Sequence, residues 1–352
     1  MEKGKKRVFI IILNFNGKED TLDCLKTCSK LSVVSCELSV IVVDNNSSDT
    51  SCEIISKKYT EIMLIHTNKN VGFSKANDQG VQIAKGEYGL ILNPHTVVAE
   101  DTFIQILEYA QSKQNFGVLG VKLMDGSRNF LPESKRGIPT PRVSFNKLFG
   151  ISSKQTGKYY ATHLNENETG VVAILVGAFM LLKRSVYIEV DGFDEAYFMY
   201  GEDIDLSFKI LNKGYQNYYY SETQVLHYKG ESTQKDIKYL KYFHKAMKIF
   251  YRKHFKLNRI YDFIMSFGIE LWYYIKYFQF FQIKKIPEFN MNVLYLGEDE
   301  LIKNYLAKKY LLVSKDLMGD FNQIKILIKK DSIDTIVFDN STISNKKIIE
   351  HF

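Results

Sequence analysis

The first 111 residues alternate between short apolar runs and more polar stretches of helical length. The apolar runs, each long enough for a strand, lie at Val8–Leu13, Leu38–Val43, Glu61–Ile65 and Tyr88–Leu92. The helix-like stretches lie at residues 18–29, 49–59, 74–85 and 101–111. This alternation predicts an α/β fold in which helices cover both faces of a mostly parallel sheet.

The middle of the chain has a different character. Residues 125–170 contain three of the five prolines, Pro132, Pro139 and Pro141, together with many polar residues. We predict a loop-rich insertion there, of the kind that recognises ligands. A further apolar run follows at Val171–Leu182, and a short helix is predicted for Glu202–Leu211.

Residues 236–255 predict a long amphipathic helix. Its apolar positions recur at spacings of three and four, at Ile237, Leu240, Phe243, Met247 and Phe250. The basic, aromatic-rich stretch after it includes residues 271–281, where Lys276 interrupts the apolar residues and argues against a spanning helix. Such a helix suits an anionic membrane surface. The alternative is that its aromatic residues pack on the rest of the protein.

A new pattern begins after Pro287, with strands predicted at Val293–Leu296 and Thr335–Phe338 and a helix at Leu301–Lys309. It resembles the beginning of a small nucleotide-fold-like module that is cut short. It has no complete glycine fingerprint. We therefore divide the chain into a main domain (1–232), a helical extension (233–288) and a small, shortened α/β module (289–352).

Polar motifs follow the first two predicted strands. Asn14, Asn16 and Gly17 follow the first strand, and the run from Asp44 through Asn46 to Asp49 follows the second. At the carboxyl edge of an open α/β sheet such side chains can bind a base and a ribose. The alternative is local turn and cap chemistry, and both can hold together.

A third polar motif narrows the kinds of ligand that the chain could bind. Gly72 in the run Asn70–Asn77 allows close backbone approach, and the helix after it offers its N-terminus to phosphate. No GK[ST] follows, so the run is not a P-loop. No GxGxxG is present, which argues against a nicotinamide-dependent oxidoreductase.

Three carboxylates lie within four residues at the start of a predicted helix, at Glu202, Asp203 and Asp205. Clustered carboxylates suit general base catalysis, and the clustering raises the pKa of one member. The alternative is that they are acids favoured by the helix dipole.

Seven motifs in order give the chain a specific resemblance: VFIIILNFNG, VVDNNSSDT, NVGFSKAN, LILNPHT, GAFMLLKR, GFDEAYFMYGEDIDL and VLHYKG. Over residues 7–232 the chain resembles the family 2 glycosyltransferases, most closely the bacterial rhamnosyltransferase-like branch. The resemblance implies a GT-A fold, a nucleotide-diphosphate-sugar donor and inversion at the anomeric carbon. Asp203 would be the catalytic base, with Glu202 beside it.

The resemblance also implies two pockets and a metal. The nucleotide pocket would consist of Asn14, Asn16, Asp44, Asn46, Gly72, Asn77 and Asn93. The sugar and acceptor pocket would contain Gly177, Ala178 and Asp194. A divalent cation, Mn²⁺ or Mg²⁺, would neutralise the leaving diphosphate.

The chain departs from the family at position 95, where His95 replaces the Asp of an Asn-Pro-Asp turn. Three alternatives follow. His95 and His227 bind a transition metal together, or the enzyme works with weak metal dependence, or catalysis is impaired.

Two functional hypotheses remain at this point. The first is an inverting transferase that moves a sugar from a UDP- or dTDP-sugar, dTDP-rhamnose among them, to a lipid-linked or polysaccharide acceptor. It would act in the cytoplasm, peripherally on the inner face of the cytoplasmic membrane, without a nucleic-acid partner. The second is a non-catalytic nucleotide-sugar-binding protein of the same fold.

Overall fold

The computed structural model describes residues 6–31, 36–149, 158–228, 237–256 and 258–282. Beyond residue 282 it describes only 292–296, 303, 307, 311–314, 324, 333–338 and 345–351. The chain forms two compact units, Met1–Gln282 and Ile283–Phe352. The helices of the extension therefore belong to the first unit.

A nine-stranded mixed sheet forms the centre of the first unit. Its strands are β1 Lys6–Asn14, β2 Cys36–Asp44, β3 Met63–His66, β4 Tyr88–Leu92, β5 Thr96–Val98, β6 Phe116–Met124, β7 Gly170–Val172, β8 Phe179–Lys183 and β9 Gln216–His227. The order is β3-β2-β1-β4-β8-β6-β9-β5, and β7 also pairs with β9. The four strands β3-β2-β1-β4 are parallel, whereas β8 runs antiparallel to β4 and β6.

Helices lie on both faces of this sheet. They are α1 Lys18–Cys28, α2 Ser51–Lys58, α3 Phe73–Ile83, α4 Thr102–Gln111, α5 Pro141–Phe149, α6 Arg184–Glu189, α7 Glu202–Asn212, α8 Ile237–His254 and α9 Arg259–Gln282. Ile10 and Ile12 join one hydrophobic core, and Phe9 and Ile11 join the other. A strand buried on both faces reads as a continuous apolar run, which is why β1 shows no alternation.

The predicted α/β class is confirmed, and the sequence pattern located β1 to β4. It did not locate β6, whose nine residues are all buried, or the full twelve-residue β9. The predicted run Val171–Leu182 is two strands, because β7 pairs with β9 while β8 pairs with β4 and β6. The predicted loop-rich insertion contains a 3₁₀ turn at Pro132–Ser134 and helix α5, and its residues 150–157 lie outside the described residues.

Helix α9 packs on α8 through one face. Ile269 and Trp272 are buried, and the Trp272 ring lies 5.5 Å from that of Phe243. Lys248 of α8 donates a 2.5 Å hydrogen bond to Glu270 of α9. None of the helices within the described residues has the length and apolar character needed to cross a membrane.

The second unit contains a three-stranded parallel sheet in the order β11-β10-β12. The strands are β10 Asn292–Leu296, β11 Leu311–Ser314 and β12 Thr335–Phe338, and helix α10 spans Asn345–His351. The strands predicted at 293–296 and 335–338 are confirmed. Most of the helix predicted at 301–309 lies outside the described residues.

Candidate active site

The carboxyl ends of β1 and β2 meet in a buried hydrogen-bond network centred on Asn14. The Asn14 amide donates to Asp44 Oδ1 at 2.7 Å and to Ser51 Oγ at 2.8 Å. Thr21 Oγ1 donates to Asn14 Oδ1 at 2.8 Å. Asn14 has no exposed surface. We infer that it supports Asp44 rather than contacting a nucleoside itself.

Asp44 is also fully buried, and its environment favours the ionised form. Burial raises the pKa of Asp44, but hydrogen bonds from the side chain and backbone of Ser47 outweigh this and hold the pKa below its ordinary value. His66, at the end of β3, places Nδ1 2.9 Å from Asp44 Oδ2, and its side chain is half-exposed. His66 was not singled out from the sequence, although it ends the strand adjacent to Asp44.

Cys52 completes a small group at this edge. One ligand-type atom each from Asp44, Cys52 and His66 lies within 4.8 Å of the other two. Burial and the Asp44 carboxylate raise the pKa of Cys52 to about 12, so the thiol keeps its proton. The group combines a carboxylate, a thiol and an imidazole, all of which are donor types for transition metals.

Asn16 and Asn46 adopt the left-handed backbone region, with φ of 51° and 64°. Asn16 Oδ1 accepts a 2.7 Å hydrogen bond from the backbone N–H of Ser48, 32 positions along the chain, so Asn16 joins the loops after β1 and β2. Asn46 is exposed. Its predicted contact with the nucleotide stays a prediction.

The loop before α3 is held by Asn45 and needs a glycine. Asn45 Oδ1 accepts the backbone N–H of Val71 at 2.8 Å. Gly72 has φ +87°, and a Cβ there would lie 2.6 Å from the carbonyl oxygen of Phe198. Asn77 is buried in α3, donates to the Phe73 carbonyl at 3.0 Å, and leaves its Oδ1 without a hydrogen bond.

The turn after β4 brings His95 next to a carboxylate that the sequence interpretation missed. Asn93 Oδ1 accepts the backbone N–H of His95 at 3.0 Å. His95 Nδ1 lies 2.9 Å from Asp20 Oδ2, in the first turn of α1. Asp20 thus supplies a carboxylate beside His95.

His227 reaches the same edge through the sheet. It lies across from Thr96 in the antiparallel β5–β9 ladder, and Tyr228 donates its backbone N–H to the His95 carbonyl at 2.9 Å. The strand segment that carries His227 is therefore adjacent to the His95 turn. Metal binding by the two imidazoles together stays a prediction.

The three carboxylates at the start of α7 have three different environments. Asp203 Oδ2 accepts the backbone N–H of Gly177 at 3.1 Å and a 2.6 Å hydrogen bond from Arg136. Glu202 is buried, and its Oε2 has no hydrogen-bond partner among the described residues. Burial first, and then the Asp203 charge, raises the pKa of Glu202 to about 8, which favours its protonated form.

Asp205 has a structural environment. Its carboxylate lies 2.9 Å from Lys253 Nζ and 2.6 Å from His254 Nε2, both at the end of α8. Lys253 also donates to Asp194 at 2.6 Å. Asp194, predicted for the sugar and acceptor pocket, is thus placed with the α8 ion pairs, and that role stays a prediction.

Gly177 and Ala178 connect the two ends of the site. Gly177 donates to Asp203, and the Ala178 carbonyl accepts the backbone N–H of Asn93 at 2.9 Å. The short segment before β8 therefore joins the His95 turn to the carboxylates. The predicted pocket floor is therefore hydrogen-bonded to the His95 turn on one side and to the candidate base Asp203 on the other.

The sequence model of glycosyl transferase family 2 matches residues 9–191. The chain belongs to this family. The matched region contains the Asn14–Asp44 network, the Gly72 loop, the His95 turn and the Gly177 segment.

Characterised relatives are similar over the same part of the chain. An N-acetylglucosaminyl-diphospho-decaprenol L-rhamnosyltransferase of Mycobacterium tuberculosis is 28% identical over 60% of this chain and 74% of its own length. The rhamnosyltransferase WbbL of Escherichia coli is 29% identical over 63% of this chain and 83% of its own. The protein is therefore a glycosyltransferase, and the predicted rhamnosyltransferase-like resemblance is confirmed.

Solved structures share the fold. A mannosyltransferase from Pyrobaculum calidifontis, solved with GDP-Man and Mn²⁺, has a TM-score of 0.51 at 15% identity and covers 81% of this chain and 78% of its own. GalNAc-T7, solved with UDP, GalNAc and Mn²⁺, has a TM-score of 0.52 at 15% identity, covering 70% of this chain and 48% of its own. The predicted GT-A fold is confirmed.

Proposed function

We propose that this glycosyltransferase transfers a sugar, with inversion, from a UDP- or dTDP-sugar to a lipid-linked acceptor at a membrane surface. dTDP-rhamnose is the first donor to test, because two relatives are rhamnosyltransferases. One observation carries the proposal. The Asn14–Asp44 network, which we call the nucleotide end, is followed along one edge of the sheet by the Gly177 segment and the Asp203 carboxylate.

The proposed reaction is a direct displacement. Asp203 accepts the proton of the acceptor hydroxyl as its oxygen forms a bond to the anomeric carbon and the bond to the diphosphate breaks. Glu202, whose raised pKa favours the protonated form, donates a hydrogen bond to donor or acceptor. General base catalysis of this kind contributes about 10²–10⁴-fold to a rate.

Asp20 and His95 would hold a divalent cation at the diphosphate end. A carboxylate oxygen and an imidazole nitrogen 2.9 Å apart form a donor pair that suits Mn²⁺ better than either residue alone. Such a cation supplies positive charge to the leaving diphosphate. A His95→Asp variant should keep transfer activity and shift its cation preference from Mn²⁺ towards Mg²⁺. An unchanged preference would remove His95 from the cation site.

Helix α9 supports a membrane surface as the place of reaction. The face of α9 away from α8 carries an apolar stripe at spacings of three and four: Ile260, Phe263, Ile264, Phe267, Leu271, Tyr274, Ile275 and Phe278. Residues 237–282 contain nine Lys or Arg and two acids, a balance equal to the whole net charge of +7. Seven of these nine cations precede α9, on α8 and the residues just after it, so the stripe lies on a helix that packs on a basic one. This combination fits an anionic lipid surface at the inner face of the cytoplasmic membrane.

Substitution tests this surface better than deletion of residues 257–285, because deletion would also uncover the α8 face that Trp272 covers. Phe263 and Phe267 are 72% and 60% exposed. The double variant Phe263→Glu/Phe267→Glu should lose sedimentation with phosphatidylglycerol vesicles. Met63→Glu, an exposed apolar position on β3, is the matched control and should sediment as the unaltered protein does. Equal sedimentation of both variants would contradict the membrane proposal.

The function itself is tested by a donor screen. Purified protein is incubated with UDP-, dTDP- and GDP-sugars, with Mn²⁺ or with EDTA, and nucleoside diphosphate release is measured. Turnover of at least one donor is expected. Tight nucleotide binding without turnover, unrescued by His95→Asp, would instead support the non-catalytic alternative.

A further inference from the structure

Arg136 is a buried cation that the sequence interpretation did not assign. It follows the 3₁₀ turn at Pro132–Ser134, in the segment between β6 and β7. Its backbone pairs with Ile174 through two 2.9 Å hydrogen bonds, one in each direction. This bridge fixes Arg136 beside the chain segment that leads to Gly177.

The guanidinium of Arg136 contacts the candidate base directly. Arg136 Nη2 donates to the Leu175 carbonyl at 2.8 Å and to Asp203 Oδ2 at 2.6 Å. The same Asp203 oxygen accepts the Gly177 backbone N–H, while Asp203 Oδ1 accepts that of Ile204 at 2.8 Å. Both carboxylate oxygens are therefore held, and the orientation of the group is set.

Stability alone gives a weak reason for this arrangement. Replacing a buried ion pair by apolar residues is often neutral or stabilising. In addition, Arg136 Nε is buried without a hydrogen-bond partner among the described residues, and an unsatisfied buried donor costs free energy. A cation kept under these conditions at a candidate catalytic carboxylate points to a role in the reaction.

We propose that Arg136 is a positioning residue for Asp203: it orients the carboxylate and balances its charge, so that Asp203 accepts the acceptor's proton. The inference rests on the proposed function of Asp203. It assigns different tasks to two adjacent carboxylates by the position of one guanidinium.

The protonation preferences agree with this division. Burial lowers the pKa of Arg136, but the Asp203 charge and a contact with Tyr159 outweigh this and raise it above the ordinary value. The guanidinium thus stays charged. Burial and the Asp203 charge raise the pKa of Glu202 to about 8, and they outweigh the Arg136 charge, which lowers it.

Lys135 provides a matched control in the same segment. It is also buried, but its Nζ donates to backbone carbonyls, at 2.8 Å to Leu164 and at 3.3 Å to Ala161. A variant of Lys135 should therefore weaken the segment without acting on Asp203. Arg136 variants should act on Asp203 specifically.

The test compares steady-state transfer by Arg136→Gln, Arg136→Lys and Lys135→Met. Arg136→Gln should lower kcat about 10- to 100-fold with little change in the donor KM, because misplacement of a catalytic group affects the chemical step. Arg136→Lys should recover part of kcat. Lys135→Met should lower thermal stability and leave kcat of the folded protein within about threefold, a difference that normal variation between folded variants allows.

A second experiment keeps the inference falsifiable if Arg136→Gln folds poorly. Millimolar guanidinium should raise kcat of Arg136→Ala and not that of Lys135→Ala. In an Asp203→Asn background, Arg136→Lys should cause no further loss, since both act at one step. An active parent protein whose Arg136→Gln variant keeps its kcat, or whose two losses multiply, would overturn the inference and leave the proposed function intact. An inactive parent would overturn both.

Discussion

The nucleotide end and the carboxylate end of the site are stabilised in opposite ways. At the nucleotide end, the Asn14 amide and neighbouring hydroxyls form a buried network on one side of the Asp44 carboxylate, and the half-exposed His66 lies on the other. At the carboxylate end, Glu202, Asp203 and Arg136 bring ionisable groups together in the interior. The first arrangement is built to hold a shape, and the second is built to move a proton. Substitutions at the two ends should therefore fail in different ways.

The largest effect is expected at the carboxylate end. Asp203→Asn keeps the shape of the side chain and removes the proton acceptor, so kcat should fall by about 10²–10⁴-fold. Nucleotide affinity, measured by calorimetry, should stay within about threefold, since Asp203 lies apart from the Asn14 network at the nucleotide end. Asp205→Asn is the comparison, because Asp205 contacts α8 and should affect stability more than kcat. Equal activity of Asp203→Asn would remove Asp203 from the base role.

The next effect concerns the Gly72 loop at the nucleotide end. Gly72→Ala forces a Cβ to 2.6 Å from the Phe198 carbonyl, at a φ of +87° that L-residues avoid. Backbone strain of this kind costs about 1–3 kcal/mol. Nucleotide binding should weaken, by isothermal titration, by about 5- to 100-fold. Gly214→Ala shares the positive φ but has open space around it, and should leave binding unchanged.

A smaller effect is expected from Asn14→Ala, as a loss of stability. It removes the centre of a buried network and leaves Asp44, Ser51 and Thr21 with unsatisfied groups, at a cost of about 1–3 kcal/mol. Urea denaturation measures this change. Asn46→Ala, at an exposed turn position, should change stability by less than about 0.5 kcal/mol. Equal effects of the two variants would contradict the network's role.

The smallest effect, taken over a single pH unit, is a pH dependence of stability at Glu202. Its pKa is about 8 in the folded protein against an ordinary 4.5, so the folded state binds more protons between these values. The free energy of unfolding should therefore fall as pH rises through this window, by at most about 1.4 kcal/mol per pH unit. Glu202→Gln should remove this dependence, whereas exposed Glu53→Gln should not. Parallel pH profiles for Glu202→Gln and the unaltered protein would contradict the assignment.

The grouping of Asn14, Asp44 and Asn93 could be predicted from the sequence because these residues follow strands directly. Asn14, Asp44 and Asn93 each come at the end of an apolar run, and parallel strands bring their carboxyl ends to one edge. Gly72 could also be recognised locally, because it stands directly before the helix α3. The Asx-turn interpretation of the run after β2 is confirmed at Asp49, whose Oδ1 accepts the backbone N–H of Ser51 at 3.1 Å, since such a turn depends only on neighbouring residues.

The partners of the charged residues could not be predicted in this way. Arg136 is 67 positions from Asp203, and Asp20 lies on a helix far along the chain from His95. Asp205 shared a motif with Asp203, yet its partners Lys253 and His254 come from α8. Such pairs depend on how helices and the insertion pack against the sheet, and no local spacing encodes that packing.

Direct analysis of the product tests the central claim most closely. The protein is incubated with dTDP-rhamnose and UDP-sugars, Mn²⁺ and a polyprenyl-diphosphate sugar acceptor in anionic vesicles, and the extracted lipid is examined by NMR. We predict an acceptor extended by one sugar, with the anomeric configuration inverted relative to the donor. Retained configuration would contradict direct displacement with Asp203 as base, and an unmodified acceptor with every donor would contradict the proposed transfer.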